Sequence, residues 1–121
     1  MKKRLLIGFG LVFAMTGCHN EQAPPKPLTM EQIPVAVEQA FSQADGVSKA
    51  AATDAADAVK NNDPDRALTA LMGLSEQPGL TPAQRAAAAE ATASLNRQLQ
   101  DAAEKGDAKA AAALARYRAS K

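Results

Sequence analysis

The side chains best suited to covalent chemistry are the thiol of Cys18 and the imidazole of His19, the only cysteine and the only histidine in this 121-residue chain. One cysteine cannot form a disulfide within the chain. One histidine cannot supply a His/Cys metal cluster, and a Ser/His/Asp or Cys/His catalytic arrangement has too few members. Asp54 and Asp57, three apart on a predicted helix, indicate a solvated helix face. We therefore expect no catalytic residue, no metal and no cofactor, and modification of the Cys18 thiol is the chemistry that is left.

The residues before Cys18 have the layout of a secretory signal peptide. Lys2, Lys3 and Arg4 form a positive start, and residues 5–15 form an apolar segment that small residues follow. This segment is too short to cross a bilayer as a helix, which takes roughly 17–25 residues. The sequence therefore predicts export of the chain.

The sequence Met15-Thr16-Gly17-Cys18 resembles the lipobox of bacterial lipoproteins, although Met15 stands where leucine is usual. The resemblance implies cleavage between Gly17 and Cys18, a diacylglycerol thioether on Cys18 and acylation of the new amino group. Two or more acyl chains hold a protein stably on a membrane, whereas one chain holds it only marginally. His19 is not the aspartate that commonly signals inner-membrane retention in diderm bacteria. The resemblance thus implies the periplasmic face of the outer membrane rather than the inner membrane.

The charge and composition of the chain after residue 17 argue against some classes of function. Without residues 1–17 the chain keeps 11 of its 14 basic residues and all 13 acidic ones. This near balance argues against a nucleic-acid partner, which calls for a clustered basic face. Much of the apolar content is alanine, which buries little area, so we expect marginal stability or support from a partner.

Proline and helix-cap signals divide the chain into three parts. Residues 1–17 form the predicted signal peptide, residues 18–29 the lipidated cysteine with a disordered proline-rich linker, and residues 30–121 an all-α domain. We predict five helices in that domain, over about 34–44, 47–60, 64–77, 82–105 and from 108 onward. The first two could instead be one kinked helix through 45–46. A capping box at Thr29 and Gln32 conflicts with Pro34, so Pro34 is the preferred start.

The turn Asn62-Asp63-Pro64 resembles the turn of a tetratricopeptide-type hairpin, with Ala67 as the small residue at the helix crossing. The predicted helix starts near 47 and 82 lie about 35 residues apart, close to the 34 residues of that repeat. However, the aromatic and glycine positions of the first repeat helix are missing, and the fourth helix is too long. The resemblance implies two short helical hairpins, and a small helical bundle is the alternative.

The C-terminal sequence Arg116-Tyr117-Arg118, with Lys121 as the last residue, resembles the end of the murein lipoprotein. In that family the final lysine is joined to peptidoglycan. Here Ala119 and Ser120 interrupt the pattern, and the prolines and turns exclude an uninterrupted coiled coil. The resemblance implies an alternative function, a membrane-to-wall tether attached through Lys121.

These features together predict a membrane-anchored envelope lipoprotein with no enzymatic activity, whose small helical domain binds a protein partner or associates with itself. The alanine runs at 86–89 and 110–113 permit close helix approach and could offer a slot for a partner helix. The predicted contact surface beside such a slot consists of four leucines, Leu68, Leu71, Leu95 and Leu99.

Overall fold

Five α-helices account for most of residues 26–121, the part of the chain that the computed structural model describes. They are α1 (Gln32–Ala40), α2 (Gly46–Lys60), α3 (Pro64–Ser75), α4 (Pro82–Glu104) and α5 (Ala108–Ala119), and no strand occurs among these residues. The predicted all-α class is confirmed. The predicted lipobox and cleavage site lie outside the described residues.

The start of α1 differs from the prediction. Thr29 and Gln32 form the reciprocal capping box: Gln32 N–H donates to Thr29 Oγ1 at 3.2 Å, and Thr29 N–H donates to Gln32 Oε1 at 3.0 Å. Pro34 lies inside α1 and is buried. The helix therefore begins before Pro34, because the cap satisfies the first backbone donors and tolerates the missing N–H of proline one turn later.

A cap also separates α1 from α2, so the alternative of one kinked helix is wrong. Asp45 has extended backbone angles, and its Oδ1 accepts a hydrogen bond from Ser48 N–H at 2.8 Å. This hydrogen bond favours the carboxylate and lowers the pKa of Asp45. The start of α2 is thus stabilised by the ionised form of one side chain.

We expect an Asp45→Asn variant to lose less stability in acid than the wild-type protein. Because the folded-state pKa of Asp45 is lowered, its contribution is fully present above the ordinary aspartate range and is lost as pH falls through the folded pKa. Asparagine keeps the cap oxygen but does not titrate. Thermal unfolding at a series of acid pH values measures how the stability of each protein falls. Asp101→Asn, at an exposed position of α4, is the control. If the stability of Asp45→Asn falls with decreasing pH as steeply as that of the wild-type protein, the prediction is contradicted.

The turns between α2 and α3 and between α4 and α5 share one local geometry. Asn62 and Gly106 adopt left-handed backbone angles, with φ of 53° and 97°. The residue after each, Asp63 or Asp107, donates its N–H back to the last turn of the preceding helix at 3.0 Å. The same aspartate then caps the following helix through its side chain. Each turn therefore ends one helix and begins the next within three residues.

The helices pack into a closed arrangement. α1 contacts α2, α2 contacts α3, α3 contacts α4, and α4 returns to α1. α5 packs on both α3 and α4. Both predicted hairpins, α2 with α3 and α4 with α5, are packed pairs. The return of α4 to α1 is a bundle-like closure, and a tetratricopeptide-type repeat stays a prediction.

Large apolar side chains and alanines share the core. Of the twenty buried apolar side chains among residues 26–121, nine are alanine. Ala55, Ala67 and Ala91 are completely buried, which lets the helix backbones approach closely. The larger buried side chains include Ile33, Val37, Phe41, Val59, Leu74, Leu80 and Leu114.

The alanine run at 110–113 lies partly in the core and partly on the surface of α5. Ala110 and Ala113 are buried, whereas Ala111 is exposed. The buried stripe runs through Ala110, Ala113 and Leu114 to half-buried Tyr117, which is regular helical spacing. A run of identical alanines has no hydrophobic contrast, so its register could not be read from the sequence.

Candidate interaction site

The four leucines of the predicted contact surface lie in the core. Leu71 and Leu95 are 0% exposed, Leu68 is 2% exposed and Leu99 is 6% exposed. All four belong to one hydrophobic cluster that spans the five helices. Large apolar residues at helical spacing are what the helices need to pack against each other, so these leucines stabilise the fold. A surface that reaches a partner must be formed by other residues.

Of the two carboxylates singled out from the sequence, Asp57 is half-buried and Asp54 is exposed. Asp54 is about half exposed and forms an ion pair with Arg66, which joins α2 to α3. Asp65 joins α3 to α5 by accepting from Arg116 at 2.6 Å. Such exposed pairs contribute little to stability. Within residues 26–121 no group of three potential metal ligands comes together.

A groove follows the exposed face of α4 where that face carries small and polar residues. It consists of two open depressions on either side of Ala89, Ala93 and Asn96, which are spaced by four and three residues and therefore share one side of the helix. Lys26 and Pro27 bound the first depression, whose volume is about 970 Å³. We call the two depressions together the α4 groove and the three residues common to both its floor.

The second depression of the α4 groove lies between α4, α3 and the C-terminal turn of α5. Met72 and Tyr117 line this depression, which is open and has a volume of about 640 Å³. Methionine and tyrosine are enriched at protein interfaces because they offer large, adaptable or amphipathic contact area. Tyr117 is the only aromatic side chain that keeps surface exposure among residues 26–121, since Phe41 is buried.

Charges of both signs surround the α4 groove. Glu90 and Arg97 line the depression near Lys26. Glu76 and Lys121 line the depression near Tyr117. A mixed rim around a small-residue floor fits a protein surface better than a polyanion, which requires one sign of charge. The sequence signal that could have located this surface is the small and polar face of α4 opposite Leu95 and Leu99.

Lys121 lies at one edge of the α4 groove. Its Nζ is 4.7 Å from the centroid of the Tyr117 ring, a cation–π contact, and the residue is exposed. Such exposed contacts are weak, at about 0.5–1 kcal/mol. Attachment to the cell wall through Lys121 stays a prediction.

The segment that leads into α1 is fastened to α4. The backbone N–H of Leu28 donates to Ser94 Oγ at 2.9 Å, and Gln98 Nε2 donates to the Leu28 carbonyl oxygen at 3.1 Å. Ser94 is 3% exposed, and the Leu28 side chain packs against the hydrophobic cluster. Leu28 belongs to the stretch predicted as linker, and neither partner was singled out from the sequence. An isolated serine or glutamine on a helix carries no local sign of such a contact.

Comparisons of this chain with protein families, with curated proteins and with solved structures found no match. None of the helices within residues 26–121 has the length and apolarity that crossing a membrane requires. The function is therefore argued from the residues themselves.

Proposed function

We propose that this protein is a non-catalytic lipoprotein of the bacterial cell envelope, held on a membrane through Cys18, whose helical domain binds another protein. The observation that carries the anchoring is the sequence Met15-Thr16-Gly17-Cys18 in register with a positive start and an apolar segment. The absence of an inner-membrane aspartate at His19 supports placement on the periplasmic face of the outer membrane.

We place the binding surface of this module in the α4 groove and propose a helix of a partner protein as its occupant. Alanine side chains on the floor, Ala89 and Ala93, would allow the backbone of an added helix to approach closely. Tyr117 and Met72, which line the second depression, offer contact area of the kind that anchors interfaces. The mixed charges of the rim would select a partner with complementary polar residues.

Crosslinking in intact cells tests the proposal. The wild-type protein should give a discrete crosslinked species that contains a different protein, whereas a species that contains only copies of this chain contradicts the proposed occupant. Ala93→Arg should abolish that species, because a long charged side chain would rise from the middle of the floor. Ala50→Arg is the matched control, since Ala50 is an equally exposed helical alanine on α2.

The binding role and the location of the binding surface can be contradicted by different outcomes. A wild-type protein that remains monomeric under all crosslinking conditions contradicts a binding role. A crosslinked species that survives Ala93→Arg, or that Ala50→Arg removes as well, contradicts the α4 groove as the binding surface. Circular dichroism of both variants verifies that the helices are retained.

A further inference from the structure

Leu28 lies between the N-terminal segment and α1. Its contacts therefore determine how a pulling force on that segment reaches the helices. On its N-terminal side lie Lys26, Pro27 and the segment that leads to Cys18. On its C-terminal side the next residue, Thr29, already caps α1. Any pull along the N-terminal segment therefore reaches Leu28 before it reaches α1.

The two helices that could receive this pull differ greatly in how firmly they are held. α1 has 9 residues and is embedded by its buried residues Ile33, Pro34 and Val37. α4 has 23 residues and packs on α1, α3 and α5. A short terminal helix pulled at its end can leave one turn at a time, whereas a long helix with three packing partners must move as a unit.

Ser94 and Gln98 hold Leu28 from one face of α4, because they are four residues apart on the helix. They occupy both backbone polar groups of Leu28, the N–H and the carbonyl, so two hydrogen bonds must break before the residue can leave. The packing of the Leu28 side chain on the hydrophobic cluster adds to them.

We propose that Leu28, Ser94 and Gln98 form a latch that passes a pull from the N-terminal segment to α4 and keeps α1 docked. The latch rests on the proposed function only for the source of the pull, which is the membrane anchor at Cys18. Its contacts lie wholly within the domain, so the latch itself exists with or without a lipid.

Single-molecule pulling tests the transfer of load. In full-length protein that has not been exported, Cys18 is the only thiol and gives a unique handle, with the second handle at the C-terminus. Residues 29–44 span at most about 55 Å when extended, so a gain in length equal to this value less the distance that the segment spans in the fold identifies the detachment of α1. Ser94→Ala and Gln98→Ala should each shift this event to lower force. An α1 event at unchanged force in both variants overturns the proposal.

Amide hydrogen exchange gives a second readout that does not depend on handles. In full-length Cys18→Ser protein, adding Ser94→Ala should speed exchange of the Leu28 amide and of the α1 amides by about tenfold, the size expected when a net hydrogen bond is lost. Exchange in α3 should not change. Ser75→Ala is the matched control, because the Ser75 hydroxyl donates only to Leu71 O within its own helix.

The outcomes distinguish the latch from the anchor. Equal exchange of Leu28 and α1 with and without Ser94→Ala overturns the latch. An equal acceleration in Ser75→Ala also overturns it, since the effect would then be general destabilisation. The chain used carries no lipid, so neither result depends on whether Cys18 is acylated in the cell.

Discussion

We expect a Cys18→Ser variant expressed in a bacterial host to retain residues 1–17 and to carry no acyl chain, and we expect the wild-type protein in the same host to begin at Cys18 and to be acylated. The thioether requires the sulfur atom, and in the lipoprotein pathway that the lipobox implies, cleavage before Cys18 follows its formation. Each buried methylene of an acyl chain contributes about 0.8 kcal/mol to membrane binding, so the modification outweighs any surface contact of the domain.

Intact mass spectrometry of the purified proteins measures this difference directly. Thr16→Ala is the matched control, because alanine is also a small residue at that position and should leave processing intact. A wild-type protein with a free Cys18 thiol on an uncut chain would remove the basis of the proposed anchoring. The interaction proposal at the α4 groove would still stand, since its test reads crosslinking rather than lipid.

Replacing Leu71 by alanine is expected to lower the free energy of unfolding by about 2–5 kcal/mol, because Leu71 is completely buried and its removal leaves a cavity. Small domains are stable by only about 5–15 kcal/mol in total. With nine alanines among its buried apolar side chains, this domain has few large groups to offset the loss. Denaturant unfolding should therefore show a large fall in midpoint.

This substitution also tests the core position of Leu71. Val47→Ala is the control, since it also shortens an apolar side chain but at a position that is 69% exposed, and its stability change should be small. If Leu71 formed a contact surface instead of core, Leu71→Ala would leave the unfolding midpoint unchanged and would weaken crosslinking alone.

Cap chemistry made the starts of α3, α4 and α5 readable from the sequence. The threonine, proline and glutamine at 81, 82 and 84 predict the start of α4, and Thr81 and Gln84 form the expected reciprocal cap. The aspartates at 63 and 107 predict the starts of α3 and α5 in the same way. These signals succeed because a cap depends on residues within one turn of each other.

The parts that the sequence did not reveal depend on distant residues. The leucines of α3 and α4 could be recognised as apolar stripes, but whether a stripe faces a neighbouring helix or a partner depends on how the helices close together. Leu28 meets Ser94 across 66 positions of the chain, and no local pattern predicts that contact. The α4 groove likewise exists only because Pro27 and Tyr117 lie on opposite sides of the same face of α4.

The large share of alanine in the core has a thermal consequence. The heat-capacity change of unfolding grows with the apolar area that water gains, and averages about 12–15 cal/mol/K per residue. Alanine side chains expose little such area when the chain unfolds, so this domain should fall below that average. Its stability should then vary less with temperature than that of a leucine-rich domain of equal length, with a broad, shallow maximum and gradual melting.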